Sequence, residues 1–372
     1  MNGADVIARA MHDTVVDVAF GLPGAHNLAL WPACERADVR IVGMRHEQGC
    51  AYAADGFARV TGKVGAALVT TGPGAANTVA AVGEAWASRS PVVVIATDIP
   101  SGLRRAGEYR GVLHECTDQA GLFAPITKAR YVLGHAAAAY EAFGEANRAP
   151  SRPVYVGVPS DVLTSPAEPG VPDLVATRMS AVDLQPLIDA LRHAQRPVLW
   201  VGGGARDAGD AIDALARRAG APVVTTYQAR GLLAPDHPLL VPAPPHEPEV
   251  TDLIARADLA VVIGSDLDQM NTMQWRLPLP TRRIAVNIDA RDAVKNYAMD
   301  AVVTADAGIA GRVVDALSAR EPWAGEMPAL GAAVRARLSA DPRTNDAVAF
   351  LEHTENALPA DAVVFADMCV PG

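Results

Sequence analysis

The stretch Arg-His-Glu-Gln-Gly-Cys-Ala-Tyr-Ala-Ala-Asp, residues 45–55, decides the fold of the first part of this chain. It follows a short apolar run, Val39–Met44, and leads into Gln48–Val60, where apolar residues recur with the period of a helix. The pattern predicts a buried strand that passes into a helix, with Glu47 at the junction. A glutamate in a first helical turn usually complements the helix dipole and faces water, so Glu47 alone indicates no function.

The same alternation of strand and helix extends to both sides of this stretch. Strands are predicted at Val15–Phe20, Gly65–Thr70 and Pro91–Ala96, and helices at Ala25–Arg36 and Ala75–Ser88. Short connections between alternating elements predict a parallel sheet covered by helices. Residues 101–117 lose this periodicity and are predicted to form a long loop.

A second α/β unit is predicted after a Pro- and acid-rich stretch, with strands at Pro197–Val201, Pro222–Thr226, Leu259–Ile263 and Arg283–Ile288. The fold class is therefore α/β, with two doubly wound parallel sheets of about six strands each. The predicted organisation is a first domain at 1–165, a linker at 166–180, a central domain at 181–322, a linker at 323–344 and a last segment at 345–372. That segment holds one helix and one strand, Ala362–Ala366, which cannot bury a core, so we expect the truncated start of a third domain.

Composition excludes several function classes. The net charge of −10 and the pI near 5.4 argue against nucleic-acid binding. The four cysteines (Cys34, Cys50, Cys116 and Cys369) show no CxxC spacing, which indicates free thiols and no metal site. There is no run of about 18 apolar residues that would cross a membrane. We expect a cytoplasmic protein that binds neither nucleic acid nor membrane.

Two glycine-rich turns follow predicted strands in the first domain. Gly-Leu-Pro-Gly, residues 21–24, ends the first strand, and Thr-Gly-Pro-Gly-Ala-Ala-Asn, residues 71–77, opens a helix after a buried strand. Glycines allow a ligand to approach the backbone closely, although each motif alone is also an ordinary turn. Together with Glu47 they fall at the carboxyl ends of adjacent strands, where open α/β sheets bind ligands. The coincidence predicts a ligand site there.

In this order, the motifs at 21–24, 45–49 (Arg-His-Glu-Gln-Gly), 54–62 (Ala-Asp-Gly-Phe-Ala-Arg-Val-Thr-Gly) and 71–77 resemble the pyrimidine-binding domain of acetolactate synthase-like thiamine diphosphate enzymes. The resemblance continues through residues 113–119 (Leu-His-Glu-Cys-Thr-Asp-Gln), and residues 197–307 are similar to the central domain of that family. It covers nearly the whole chain.

The resemblance implies roles for particular residues. Glu47 would be the partner of N1′ of the cofactor's aminopyrimidine ring, a task that needs a carboxyl group able to exchange its proton readily. The residues that would shape the cofactor pocket are Gly24, Gly72, Gly74 and Asn77. His114 would be a catalytic residue, with a loop histidine bonded to backbone as the alternative interpretation. Gln119 would contact the substrate.

The sequence departs from the family at the diphosphate site. The family holds the diphosphate and Mg²⁺ through a Gly-Asp-Gly motif and an asparagine, and this sequence contains no Gly-Asp-Gly. We therefore expect thiamine diphosphate and Mg²⁺ to depend on a domain absent from this chain, which alone would be inactive. The chain would be a truncated form or one subunit of a split enzyme.

The implied function is that of a carboligase or decarboxylase acting on a 2-oxo acid, in a homodimer, a homotetramer or a complex with a separate diphosphate-domain subunit. The alternative is a non-catalytic paralogue, or a regulatory or structural subunit that keeps the fold. A flavin site is not favoured, because Gly202-Gly203-Gly204 is followed by Asp207 where a GxGxxG motif needs glycine, but FAD binding stays open as an alternative.

Overall fold

The structure, a computed structural model, describes residues 1–170, 182–325 and 327–364. The chain divides into two compact units, Met1–Arg178 and Met179–Gly372. Each unit is built on one parallel sheet, so the predicted fold class is confirmed.

The first unit contains a six-stranded parallel sheet with the order β2-β1-β3-β4-β6-β5. Its strands are β1 Val18–Gly21, β2 Arg40–Gly43, β3 Gly65–Val69, β4 Val92–Asp98, β5 Ala129–Val132 and β6 Val154–Pro159. Its helices are α1 Gly3–Asp13, α2 Leu30–Arg36, α3 Glu47–Thr61, α4 Pro73–Ala76, α5 Val79–Ala87, α6 Ala139–Asn147 and α7 Ser160–Thr164, with 3-10 turns at Ser101–Leu103, Ala120–Ile126 and Ala136–Ala138.

The two faces of this sheet bury two separate clusters. In β3, Ala66 and Leu68 belong to one cluster with α1, α2 and α6, whereas Ala67 and Val69 belong to the other with α3 and α5. Successive side chains of a strand point to opposite faces, so a strand covered on both sides is apolar throughout. That requirement explains the continuous apolar runs in β3 and β4, every residue of which is buried.

The first residues of the chain are fixed against the end of the first unit. The Gly3 N–H donates to the Ser165 carbonyl oxygen at 3.0 Å, and Asn2 forms an antiparallel bridge with Pro166. A Cβ on Gly3 would collide with the Val162 carbonyl oxygen, so only glycine allows this approach. An Asn2–Asp5 capping box then starts α1.

The second unit contains a five-stranded parallel sheet with the order β11-β10-β9-β7-β8. Its strands are β7 Pro197–Val201, β8 Val223–Thr225, β9 Leu259–Ile263, β10 Arg282–Asn287 and β11 Ala301–Thr304. Its helices are α8 Gln185–His193, α9 Gly209–Ala219, α10 Pro248–Arg256, α11 Ala290–Val294, α12 Met327–Ala340 and α13 Asn345–Ala357, with 3-10 segments at Gly203–Ala205, Tyr227–Ala229 and Ala307–Ala316.

Several elements differ from the prediction. The helix expected at Ala25–Arg36 begins only at Leu30, and the one expected at Ala75–Ser88 is interrupted between α4 and α5. The segment 323–344, expected as a linker, contains α12. No residue of α13 is buried.

Two predicted segments fall partly outside the described residues. Residues 362–364 form no strand, and the rest of the strand predicted at Ala362–Ala366 lies outside them, as does most of the predicted linker 166–180.

Candidate active site

The strand order places a crevice at the carboxyl edge of the first sheet. The chain runs from β1 outward to β2 and then returns to β3 on the other side of β1, so the connections leaving β1 and β3 diverge. Such a switch point is where open α/β sheets bind ligands. The loop 22–29 leaves β1 here, and the turn 70–72 leaves β3. This edge carries the first glycine-rich turn, Glu47 and the second glycine-rich turn.

Glu47 is the first residue of α3 and is half-buried. The preceding residue, His46, has an extended backbone and caps the helix, since its Nδ1 accepts from the Gln48 N–H at 3.1 Å. The Glu47 Oε2 atom accepts from Asn77 Nδ2 at 2.9 Å. No residue in the described ranges donates to Oε1. The carboxyl group is therefore held by one oxygen, and its other oxygen is available to a ligand.

Three small residues, Gly24, Thr70 and Gly74, form a closely packed group that we call the cradle, and Gly74 lies beside this free oxygen. A Cβ on Gly74 would lie 3.5 Å from Glu47 Oε1 and 2.6 Å from Thr70 Cγ2. A Cβ on Gly24 would lie 2.6 Å from Thr70 Cβ. Thr70 therefore fits closely between the two glycines, and its buried Oγ1 has no hydrogen-bond partner among the described residues. A buried hydroxyl group without a partner and a carboxylate oxygen without a donor are groups that a polar ligand can complete.

A hydrogen bond with the Gln119 side chain holds the turn at Gly72 in place. Gly72 has φ of +62°, and a Cβ there would collide with the His114 carbonyl oxygen, so the position requires glycine. Its N–H donates to Gln119 Oε1 at 2.5 Å, and Gln119 Nε2 donates to the Thr97 carbonyl oxygen at 2.9 Å and to the Tyr155 hydroxyl oxygen at 2.7 Å. Gln119 is 1% exposed. It therefore joins the turn to strands β4 and β6.

Two histidines lie on this edge. His114, in the loop after β4, is exposed and has φ of +62°, and its ring centroid lies 6.1 Å from that of His26. His26 Nδ1 lies 2.8 Å from Thr71 Oγ1. The sequence pattern does not distinguish His26, because the residue lies inside a predicted helix. Its position two residues after Gly24 was the only signal.

Burial controls the ionisation of two groups near the site. Burial, with a smaller effect of the Glu47 carboxyl group, raises the pKa of the Cys50 thiol to about 12, so the thiol stays neutral. Burial also raises the pKa of Asp98 at the end of β4, while Arg104, 2.5 Å away, opposes that shift. Arg104 is thus paired with a carboxyl group of its own unit.

In the loop after β4, Arg105 pairs with Glu108, and Glu115 accepts from the backbone N–H groups of Arg110 and Val112. These contacts organise the loop.

The two glycine-rich loops of the second sheet bond to each other. The Gly202 N–H donates to the Ile263 carbonyl oxygen at 2.8 Å, and the Gly204 N–H donates to the Gly264 carbonyl oxygen at 2.9 Å. A Cβ on Gly202 would lie 2.5 Å from the Gly264 carbonyl oxygen. The glycines here serve the approach of two backbone segments.

The described residues hold no group of three or more His, Cys, Asp or Glu side chains placed to bind a metal ion. Among them, too, no helix combines the length and the apolar character that crossing a bilayer requires.

Comparison with known proteins places both units in one family. Residues 1–122 match the family model "Thiamine pyrophosphate enzyme, N-terminal TPP binding domain", and residues 184–317 match "Thiamine pyrophosphate enzyme, central domain".

Two curated relatives and one solved structure show the extent of the similarity. A Pseudomonas aeruginosa protein named as a probable 2-ketoarginine decarboxylase is 35% identical over 99% of this chain and 68% of its own length. The acetolactate synthase large subunit of Corynebacterium glutamicum is 32% identical over 82% of this chain and 51% of its own length. A thiamine diphosphate-dependent 4-hydroxybenzoylformate decarboxylase of Rhodococcus jostii has a similar fold, with a TM-score of 0.75 at 24% identity over 87% of this chain and 64% of that one. The chain thus spans between half and about two thirds of the length of these relatives.

Proposed function

Because the chain belongs to the thiamine pyrophosphate enzyme family, we propose that it forms the cofactor-activating part of an enzyme that breaks or makes the bond beside the carbonyl group of a 2-oxo acid. Bound thiamine diphosphate supplies a carbanion that adds to a carbonyl group and an electron sink for the bond that breaks. The observation that carries the proposal is the Glu47 carboxyl group, held by Asn77 through Oε2 and free at Oε1.

The described residues fit the pyrimidine end of this cofactor. Oε1 of Glu47 lies 3.5 Å from where a Cβ on Gly74 would stand, and the unpaired Oγ1 of Thr70 lies 2.7 Å from where a Cβ on Gly24 would stand. Glycine is needed at 24 and 74 because a Cβ at either position would collide with Thr70. Glu47 would hold and return a proton at Oε1, and Asn77 would keep the carboxyl group in one orientation.

The diphosphate end is proposed to bind elsewhere. The sequence contains no Gly-Asp-Gly, and the described residues include no cluster of metal-binding side chains. We propose that the diphosphate and its Mg²⁺ are held by residues outside these 372, either in the same gene product or in a separate subunit.

The exposure of the site is consistent with a further protein surface over it. Asn77 is exposed although it binds Glu47, and Tyr52 on α3 is 44% exposed. We propose a homodimer or a complex with a diphosphate-binding subunit as the working assembly. Light scattering of the native protein, with and without the cofactor and MgCl₂, measures the mass of this assembly.

The test of the function is the variant Glu47→Gln, made in the complete gene product with any subunit that co-purifies. CO₂ release is measured with thiamine diphosphate, MgCl₂ and a panel of 2-oxo acids that includes 2-ketoarginine and pyruvate. Loss of a positioned acid–base group costs about 10²–10⁴-fold in rate, so turnover should fall by that factor.

Glu141→Gln is the matched control, because Glu141 is also in a first helical turn but is exposed on α6. Unchanged turnover in the Glu47 variant would overturn its role. No turnover in any form, together with no cofactor binding by calorimetry, would favour the second candidate, a non-catalytic paralogue.

A further inference from the structure

The only Asn-Gly dipeptide of the sequence, Asn2-Gly3, lies at the start of α1. Asparagine is among the chemically unstable residues, because its side-chain amide can be lost to water. The loss begins when the backbone nitrogen of the next residue attacks the side-chain carbonyl carbon, and glycine leaves that approach unhindered because it has no Cβ. Every other asparagine of the sequence is followed by a residue with a side chain. Asn2 is therefore the asparagine at which this reaction is intrinsically easiest.

The reaction exchanges ammonia for water. The Gly3 nitrogen bonds to the side-chain carbonyl carbon of Asn2, the bond from that carbon to the amide nitrogen breaks, and ammonia leaves with the proton that Gly3 has given up. Water then opens the resulting five-membered imide at one of its two carbonyl carbons. The net change is –CONH₂ + H₂O → –COOH + NH₃. The product is aspartate, or isoaspartate, in which the main chain runs through the side-chain carbon and is longer by one atom.

In the structure the attacking nitrogen is engaged elsewhere. Two hydrogen bonds, which we call the strap, tie the start of the chain to the segment after α7. The Gly3 N–H donates to the Ser165 carbonyl oxygen at 3.0 Å, and the Ala167 N–H donates to the Met1 carbonyl oxygen at 3.2 Å. The Gly3 nitrogen must lose its proton before it can attack. Since the strap holds that proton on the Ser165 oxygen, the strap has to open first.

The side chain of Asn2 is also held in place. Its Oδ1 accepts from the Asp5 N–H at 3.0 Å, and the Asn2 N–H donates to Asp5 Oδ2 at 3.0 Å. The Asn2 backbone is extended, with ψ of 176°. Closing a five-membered ring requires the bond between Cα and the carbonyl carbon to turn from this value, which moves Gly3 away from Ser165. The closed strap and the reactive geometry therefore exclude each other.

The strap itself requires the glycine that makes Asn2 reactive. A Cβ on Gly3 would lie 1.9 Å from the Val162 carbonyl oxygen and 3.4 Å from the Ala136 Cβ. No other residue allows the chain to approach α7 so closely. The side chain at position 2 is less restricted, because serine and aspartate cap helices about as well as asparagine.

We propose that Asn2 is a deamidation site gated by the strap. The side-chain amide is retained while the two hydrogen bonds of the strap are formed, and it is lost to water when they open. Isoaspartate lengthens the main chain between the Met1 carbonyl group and the Gly3 nitrogen, so the two hydrogen bonds no longer form in register. Conversion therefore makes an opening of the first unit permanent. This site does not depend on the proposed function.

The first experiment compares the complete protein with a free peptide of residues 1–6. Both are kept at mildly alkaline pH, and peptide mass spectrometry follows the conversion of Asn2. We expect the folded protein to convert about 5–150-fold more slowly than the peptide, the factor that two net hydrogen bonds supply. In urea above the unfolding midpoint the two rates should agree. Asn356, which is exposed and followed by Ala357, is the internal control and should stay unchanged.

The second experiment opens the strap without changing Asn2 or Gly3. Ala167→Pro removes the N–H group that donates to the Met1 carbonyl oxygen. We expect conversion to accelerate by about 2–13-fold, the factor for one net hydrogen bond. Glu168→Ala, at the exposed next residue, is the matched control and should leave the rate unchanged. In protein that has converted to isoaspartate, the Ala167 amide should exchange its hydrogen faster than before.

Hydrogen exchange keeps the test decisive if Ala167→Pro unfolds, as circular dichroism would show. In the unchanged protein, urea below the unfolding midpoint should raise the conversion of Asn2 and the exchange of the Gly3 amide in parallel, because both need the same local opening. A folded protein that converts as fast as the peptide, or a conversion rate that does not follow Gly3 exchange, would overturn the gating. Unchanged exchange at Ala167 after conversion to isoaspartate would show that the opening is not permanent.

Discussion

Replacing Gln119 by leucine should destabilise the first unit more than any other single change of a polar side chain at this edge. Gln119 is 1% exposed and makes three hydrogen bonds, to the Gly72 N–H, the Thr97 carbonyl oxygen and the Tyr155 hydroxyl oxygen. Leucine has a similar size and makes none of them.

The cost follows from the groups left without a partner. The Gly72 N–H and the Tyr155 hydroxyl oxygen are both buried, and a buried polar group that loses its partner costs about 1–3 kcal/mol. We therefore expect the free energy of unfolding of the first unit to fall by about 2–6 kcal/mol. Tyr155→Phe should cost only about 0.5–1.5 kcal/mol, because Gln119 keeps its bond to Thr97.

Urea-dependent hydrogen exchange, read by mass spectrometry, measures this loss in each unit separately. Peptides that cover residues 65–76 report on the first unit, and peptides that cover residues 259–263 report on the second as an internal reference. In the double variant Gln119→Leu/Tyr155→Phe, the loss should be smaller than the sum of the single losses, because the second change removes the hydroxyl group that the first change leaves unpaired. A Gln119→Leu variant within about 1 kcal/mol of the unchanged protein, or equal losses in both peptides, would refute the reasoning.

Three further predictions concern single residues. Gly72→Ala combines a positive φ with a backbone collision and should cost about 2–6 kcal/mol in urea unfolding, whereas at Gly43 a Cβ meets no atom within 4 Å and alanine should be tolerated; equal losses would contradict this. The Cys50 thiol, with a pKa of about 12, should react with iodoacetamide at pH 8 at least about 10³-fold more slowly than an ordinary thiol, as peptide mass spectrometry would show; rapid labelling of the folded protein would exclude the buried state. The Arg36 guanidinium group lowers the pKa of Asp5 below 3.8, so the stabilising effect of the Asp5–Arg36 pair is present above pH 3.8 and is lost as the pH falls through the folded-state pKa of Asp5. Asp5→Asn should therefore lower the urea midpoint at pH 6 but not at a pH below that folded-state pKa. A loss that does not depend on pH would disprove the coupling.

Much of the sheet could be predicted from apolar runs, because strands buried on both faces leave a clear signal. The strand predicted at Leu259–Ile263 has those bounds in the structure, and the one predicted at Gly65–Thr70 differs by one residue. Strand β5 was missed because it lies at the sheet edge and alternates between half-buried and exposed residues. Helix α1 was missed although the Asn2–Asp5 capping box offered a signal.

The candidate site was predictable only as a set of motifs. The turn at 71–77 and Glu47 stood at strand ends, which placed them on one edge of the sheet. The bond between Asn77 and Glu47 joins residues 30 positions apart, and no periodicity reveals such a contact. His26 escaped notice because helix-period apolar residues surround it, although the chain forms a braced loop there. The role of Gln119 in substrate binding stays a prediction, since the structure shows its amide engaged by three groups of the same unit.

The contact between residues 1–3 and the end of the first unit has a consequence for synthesis. These residues leave the ribosome well before their partners at 162–166, which follow about 160 residues later, a delay of about 8–32 s at roughly 5–20 residues per second. Through that interval the apolar face of α1, with Val6, Ile7 and Met11, has no completed surface to cover it. The nascent chain therefore carries an incompletely covered apolar helix face, a suitable substrate for a ribosome-associated chaperone, until residues 133–163 of the same cluster are made.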